Sequence, residues 1–172
     1  MNIFFLHLDP EECAKLYVNS HVVKMILETC QLLCSAHHIH PKNDYIPPYK
    51  LTHKNHPSAI WTRESLENYK WLSSLLEALC KEYTYRYEKV HKCEQYLEEF
   101  MNNLPDIPDT QFTPPRQAMP DQYKSTISGD VEEDIKNVID SYKQYYFFEK
   151  FHIFQWKKRD VPEFINEYKN LF

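Results

Sequence analysis

Glycine is nearly absent from this chain: Gly129 is the only one in 172 residues. Hairpin-rich sheets draw on glycine for turns with positive φ, whereas helices do not need it, so the scarcity points to an all-α fold. It also excludes the glycine-rich loops that cradle phosphates, and with them nucleotide-triphosphate and NAD chemistry of those classes. Long hydrophobic runs are missing too. The chain opens MNIFFLHLDPEE, an apolar stretch of about five residues with no basic region before it, too short for a signal peptide or a membrane span. Nor is positive charge in excess. Twenty Lys and Arg face 25 Asp and Glu for a net charge of -5, which argues against coating nucleic acid by bulk electrostatics. The five cysteines are an odd number, so no disulfide framework is implied. Without a leader they read as reduced thiols of an intracellular protein, mostly small core residues.

What is present suits one helical domain over residues 1–172, long enough to bury a core without staples. Aromatic residues make up 15% of it. Residues 2–8 suit a short strand or extended arm. Asp9, Pro10 and Glu12 signal a helix start with a capping box, running to about Val18. A second helix is expected over Ser20 to His38, and a long one from Pro57 to about His91, N-capped by Asn55 or His56 with Ile60, Leu66, Leu72, Leu75, Leu76, Leu79 and Tyr83 in the core. Further helices are expected from Cys93 to Leu104, from Asp130 to about Arg159, and from Pro162 to Leu171. The total is five to six helices. Residues 105–129 carry too many prolines for regular structure and read as a binding loop or lid.

The second helix is the most informative. On a wheel of about 100° per residue, Val23, Ile26, Leu27, Cys30, Leu33 and Cys34 form an apolar face, with His21, Lys24, Glu28, Gln31 and Ser35 in a narrow opposing stripe. Met25 and Leu32 abut that stripe and Val22 lies just beyond them, so the helix is apolar around most of its circumference and predicted to be buried. Charged groups in such a position must pair or line a cavity. Glu28 is therefore the leading candidate, and His56 would sit at a positive helix end.

Cys30, Cys34, His37, His38 and His40 form a cluster in which residues at i, i+4 and i+7 share a helical face, but the spacing matches no closed zinc pattern, and neither metal nor cofactor is expected. Near the C-terminus, Lys143, Lys150, Lys157, Lys158 and Arg159 are interleaved with aromatics. Phe147, Phe151 and Phe154 read as core. Tyr142, Tyr145, Tyr146 and Trp156 read as exposed, able to stack on nucleic-acid bases.

Three segments resemble the pyrimidine-dimer DNA glycosylases of phage and bacteria. His21-Val-Val-Lys-Met-Ile-Leu-Glu28 is similar to the family's early helix, in which a His precedes the catalytic glutamate by seven residues. Asn55-His56-Pro57 with Trp61 resembles the Asn-His-Pro…Trp signature of its bacterial members, and Tyr142-Lys-Gln-Tyr-Tyr146 its C-terminal aromatic-Lys stretch. The resemblance implies an all-helical enzyme whose N-terminal amine forms a Schiff base at the sugar C1′ while the glutamate assists ring opening and β-elimination. An α-amine, with a reference pKa of about 8, suits that task. Asn2 is a poor residue for initiator-Met removal. Met1 itself would then carry the amine, or Lys24 would substitute, or the chemistry is absent.

The resemblance thus implies Glu28 as acid/base, His21 and His56 as orienting groups and Met1 as the amine, acting on DNA or a nucleotide. Lys24, Asn55, Arg63, Gln31, Tyr142, Tyr145 and Lys157 are the expected substrate contacts. Two alternatives stay open: a base- or nucleotide-modifying enzyme on the same scaffold, and a non-catalytic module binding nucleic acid or protein through residues 143–159.

Overall fold

Ile3, Phe4, Phe5 and Leu6 are consecutive and all buried, so the N-terminal arm runs through the interior with apolar neighbours on both sides. Phe5 stacks on Trp71 at 4.5 Å and meets Trp61 edge-on at 4.9 Å, pairs worth about 0.5–1.5 kcal/mol each beyond their burial. The arm joins no sheet. The Tyr17 hydroxyl accepts the Phe4 amide at 3.0 Å and donates to the Phe4 carbonyl at 2.9 Å, so a side chain satisfies backbone groups that a ladder would otherwise pair.

The computed structural model describes residues 1–172 and contains seven α-helices and no strand: α1 (Pro10–Leu16), α2 (Asn19–Ile39), α3 (Pro57–Glu64), α4 (Leu66–Tyr87), α5 (Leu97–Asn102), α6 (Val131–Lys150) and α7 (Glu163–Leu171). Short 3-10 turns at Lys92–Tyr96, Asp121–Tyr123 and Phe151–Ile153 link them. The all-helical expectation holds. None of these helices is long and apolar enough to cross a membrane. The core is formed where α4 packs against α1 and α2.

Several boundaries differ from expectation, each for a local reason. Asp9 caps α1, accepting the Glu11 amide at 2.8 Å, but the reciprocal half of the capping box is missing. Glu12 pairs with Lys15 at 2.8 Å instead, and the Asp9 amide donates to His7 Nδ1 at 2.9 Å. The helix expected over residues 57–91 is broken at Ser65, whose extended backbone (φ -149°, ψ 154°) and Oγ cap α4 by accepting the Asn68 amide at 3.1 Å. Neither Pro nor Gly marks this break. The long loop supplies it: Pro108 O accepts the Leu66 amide at 2.8 Å, and Thr113 and Asn68 bond reciprocally at 2.8 and 2.9 Å. Ile60, Leu66 and Tyr83 are only partly buried, whereas Leu72, Leu75, Leu76 and Leu79 are fully so. The segment from Lys92 starts as a 3-10 turn before α5, and α6 ends at Lys150, well before Arg159.

The C-terminal aromatics invert the expected assignment. Tyr142 and Tyr146 are fully buried, Phe151 is 67% exposed, and Phe147, Phe154, Tyr145 and Trp156 are intermediate. Tyrosine can be buried here because each hydroxyl finds partners, Tyr146 with the Val18 amide and His21, Tyr142 with Arg116 O and the Ala118 amide. Phe151 falls in the turn after α6, where no helical face directs it inward.

Candidate active site

Helix α2 carries the site, but it is rotated from the position its wheel predicts. Val23 and Leu27 are 41% and 39% exposed, while His21 and Ser35 are buried. Lys24, Glu28 and Gln31 lie on the accessible side, so the polar stripe splits between core and surface. Ser35 Oγ donates to Gln31 O or Thr52 O, both at 3.0 Å, and is structural.

The buried arm brings the chain's first residues to Glu28. The Met1 α-amine lies 3.6 Å from Glu28 Oε2, Lys24 Nζ lies 3.6 Å from Oε1, and the Asn2 amide donates to Oε2 at 3.3 Å. The Met1 side chain is only 3% exposed, so the amine is held by its own residue's packing. Asn2 fixes the next link: its Nδ2 donates to Ala118 O at 2.9 Å and its Oδ1 accepts the Ile3 amide at 2.8 Å. Tyr142, donating to Arg116 O at 2.8 Å and accepting the Ala118 amide at 3.1 Å, ties the long loop to this end of the arm.

These groups border a pocket of about 170 Å³ lined by Met1, Asn2, His21, Lys24, Glu28, Tyr145 and Lys150, among others. His21 is neutral there. Burial is the main cause, followed by the charges of Lys150, Lys24 and His152, and together they pull its pKa down to about 4. The Tyr146 oxygen accepts the Val18 amide at 2.9 Å and pairs with His21 Nδ1 at 2.8 Å; in the tautomer in which the hydroxyl donates, the ring proton sits on Nε2. Phe4 stacks on the imidazole at 4.6 Å with an interplanar angle of 7°. Lys150 Nζ sits over the Tyr145 ring at 5.2 Å. With His21 neutral, Met1, Lys24 and Lys150 face a single carboxylate, a net positive pocket in a net negative chain. A second, wider groove of about 420 Å³ shares Lys24 and Glu28 and continues past Val23, Leu27, Gln31, Tyr49 and Cys93.

His56 caps α3, its Nδ1 accepting the Ser58 amide at 3.0 Å. Burial first, then the N-terminal amine and His53, lower its pKa, with Glu28 opposing, so it stands within electrostatic reach of the amine without lining the pocket. Arg63 donates to Lys54 O at 2.7 Å and Asn55 is exposed. Lys157, expected at the site, lies instead over Tyr87 at 5.3 Å. Tyr142 is buried and reaches the site through the loop it anchors and through its hydroxyl, 3.5 Å from Asn2 Oδ1. Sequence reasoning missed Asn2, Phe4 and Lys150 as pocket residues. The signal available was the unbroken apolar run Ile3–Leu6, which forces the arm inward and its start to the core's edge. No group of three or more His, Cys, Asp or Glu side chains is placed to hold a metal ion.

A family model described as pyrimidine dimer DNA glycosylase matches residues 1–95, more than half of the 172. The chain belongs to that family. The match spans the arm and α1 to α4 and therefore includes Met1, His21, Lys24, Glu28 and His56. The far wall of the pocket, Tyr145 and Lys150 on α6, lies outside it. No curated protein and no solved structure matches the chain.

Proposed function

We propose that this protein cleaves the N-glycosidic bond of an altered nucleotide in DNA and nicks the resulting abasic site, with the Met1 α-amine as nucleophile and Glu28 as acid/base. The observation that carries the reading is the amine held 3.6 Å from a carboxylate oxygen at the wall of a net positive pocket. The family match over residues 1–95 supports the DNA glycosylase part of the reading.

Glu28 takes a proton from the ammonium, and the neutral amine attacks the sugar C1′. The C1′–N bond breaks and the base leaves with its electron pair and a proton. Proton transfer through Glu28 to the ring oxygen opens the sugar and leaves a protonated imine. Removal of a C2′ proton by Glu28 then expels the 3′ phosphate by β-elimination, and water hydrolyses the imine to return the amine. Neutral His21 offers its Nε2–H to a sugar hydroxyl or phosphate oxygen, and Lys24 and Lys150 attract phosphate. A pocket of about 170 Å³ admits a sugar but not a stacked base pair, so the nucleotide leaves the helix before reaction.

Borohydride reduction in the presence of abasic-site DNA tests this. A covalent protein–DNA adduct is expected with the native protein and absent in Glu28→Gln. Native protein that neither traps nor nicks abasic or ultraviolet-damaged DNA would refute it.

A further inference from the structure

A nucleotide has two parts, and the pocket beside the Met1 amine has room for one. Its volume of about 170 Å³ is below the range of about 300–1,000 Å³ typical of small-molecule sites, enough for the sugar, and displacement at C1′ requires the base to leave from the face opposite the amine. Met1 lines that pocket and not the wider groove of about 420 Å³, whereas Lys24 and Glu28 line both. A sugar beside Glu28 therefore has the amine to one side and the groove to the other.

The groove is built differently from the pocket. Val23 and Leu27, both partly exposed, lie one turn apart on α2 and give it an aliphatic face. Tyr49 forms another part of the wall. It is held by its carbonyl, which accepts from His38 Nε2 at 2.8 Å, by its hydroxyl, 3.5 Å from Cys93 Sγ, and by edge-on packing with Tyr96 at 5.9 Å. Half-buried Gln31, one turn beyond Leu27, brings a carboxamide with donor and acceptor side by side. His91 accepts the Cys93 amide on Nδ1 at 3.1 Å, so the neutral ring keeps its proton on Nε2. Apolar walls with a few polar groups suit an uncharged ring far better than a phosphate. Given the glycosylase reaction proposed for the pocket, we propose that the groove binds the base of the reacting nucleotide, an altered pyrimidine. Val23, Leu27 and Tyr49 pack on its ring, and Gln31 reads its imide edge, donating to a ring carbonyl and accepting the N3 hydrogen. A base whose pairing is already weakened by damage enters at the lowest cost, so the groove selects the altered base.

The test compares nicking of ultraviolet-irradiated duplex DNA, which needs the base removed first, with nicking of duplex DNA holding a preformed abasic site, which has no base to bind. The native full-length chain should cleave both. Val23→Trp fills the groove, and Gln31→Leu keeps the side chain's bulk but removes its hydrogen bonds; each should lower the ratio of irradiated-site to abasic-site nicking about tenfold or more. A ratio unchanged in both variants would overturn the groove assignment and leave the amine chemistry standing. So would a native chain that nicks abasic sites and spares irradiated DNA. An equal loss of both activities in a variant whose unfolding midpoint stays native would overturn it too, as expected if an opposite-strand base filled the groove. A native chain that nicks neither substrate ends the glycosylase reading and the groove with it. Gln31→Leu decides the matter should Val23→Trp not fold.

Discussion

Two helical carboxylates in this molecule each face two cations, and they are built for opposite ends. Glu82 on α4 accepts from Arg86 Nε at 2.8 Å and from Arg159 Nε and Nη2 at 2.9 and 3.0 Å. Arg86, fully buried, is itself saturated by Tyr17 O, Lys15 O and Asn19 Oδ1 at 2.7 to 3.1 Å. Burial raises the Glu82 pKa, but hydrogen bonds from Arg159 and Arg86 outweigh it and hold the group below the usual carboxylate range. Glu28 has the looser arrangement, 3.6 Å to each cation and 3.3 Å to one amide, with its side chain 14% exposed on a pocket wall. Short, saturated contacts fix a position. Long, unsaturated ones leave oxygen lone pairs free to move protons.

Breaking each cluster should separate stability from chemistry. Glu82→Ala leaves a buried guanidinium without its carboxylate and should cost about 3–5 kcal/mol, read as a lower urea midpoint. Glu28→Gln should lower abasic-site nicking by about 10²–10³-fold while the unfolding midpoint stays near native. Acid adds a graded test. His21 and His37 both have folded pKa values lowered to about 4, chiefly by burial, with the charges of Lys150, Lys24 and His152 adding at His21 and that of His38 at His37. The unfolded chain therefore binds protons first as the pH falls below about 6.5. Stability should decline from there towards pH 4, by on the order of 3 kcal/mol at most per histidine; a flat midpoint between pH 7 and 5 would contradict it. Tyr142→Phe, which removes the hydroxyl joining Arg116 O and the Ala118 amide, should cost about 1–2 kcal/mol and lower nicking through a displaced arm. The smallest effect is expected for Lys24→Ala, whose side chain is largely solvent-exposed and whose pair with Glu28 is worth at most about 1 kcal/mol.

The same contrast explains what was legible in the sequence. Glycine scarcity and 3.6-residue periodicity report local preference, and they led to the helical class, to α2 and to Glu28 as its leading candidate. The rotation of α2 was not legible, because a helix apolar nearly all round carries no preferred inward face, and Val23 and Leu27 are left exposed. The break at Ser65 depends on Pro108 and Thr113, more than 40 residues downstream by the Ser65-to-Pro108 numbering. Burial of Tyr142 and Tyr146 rests on partners that only the folded arm and loop bring near. Lys150 enters the pocket only because α6 ends there. Long-range hydrogen bonds leave no trace in a local pattern.

The central claim is that the amine held against Glu28 is the nucleophile. Mass mapping of the borohydride-reduced adduct with abasic-site DNA tests it most directly. The account predicts a reduced sugar remnant on the Met1 α-amine, retained in Lys24→Ala and lost on N-terminal acetylation. A remnant on Lys24 or Lys150, or an adduct that survives acetylation, would contradict it.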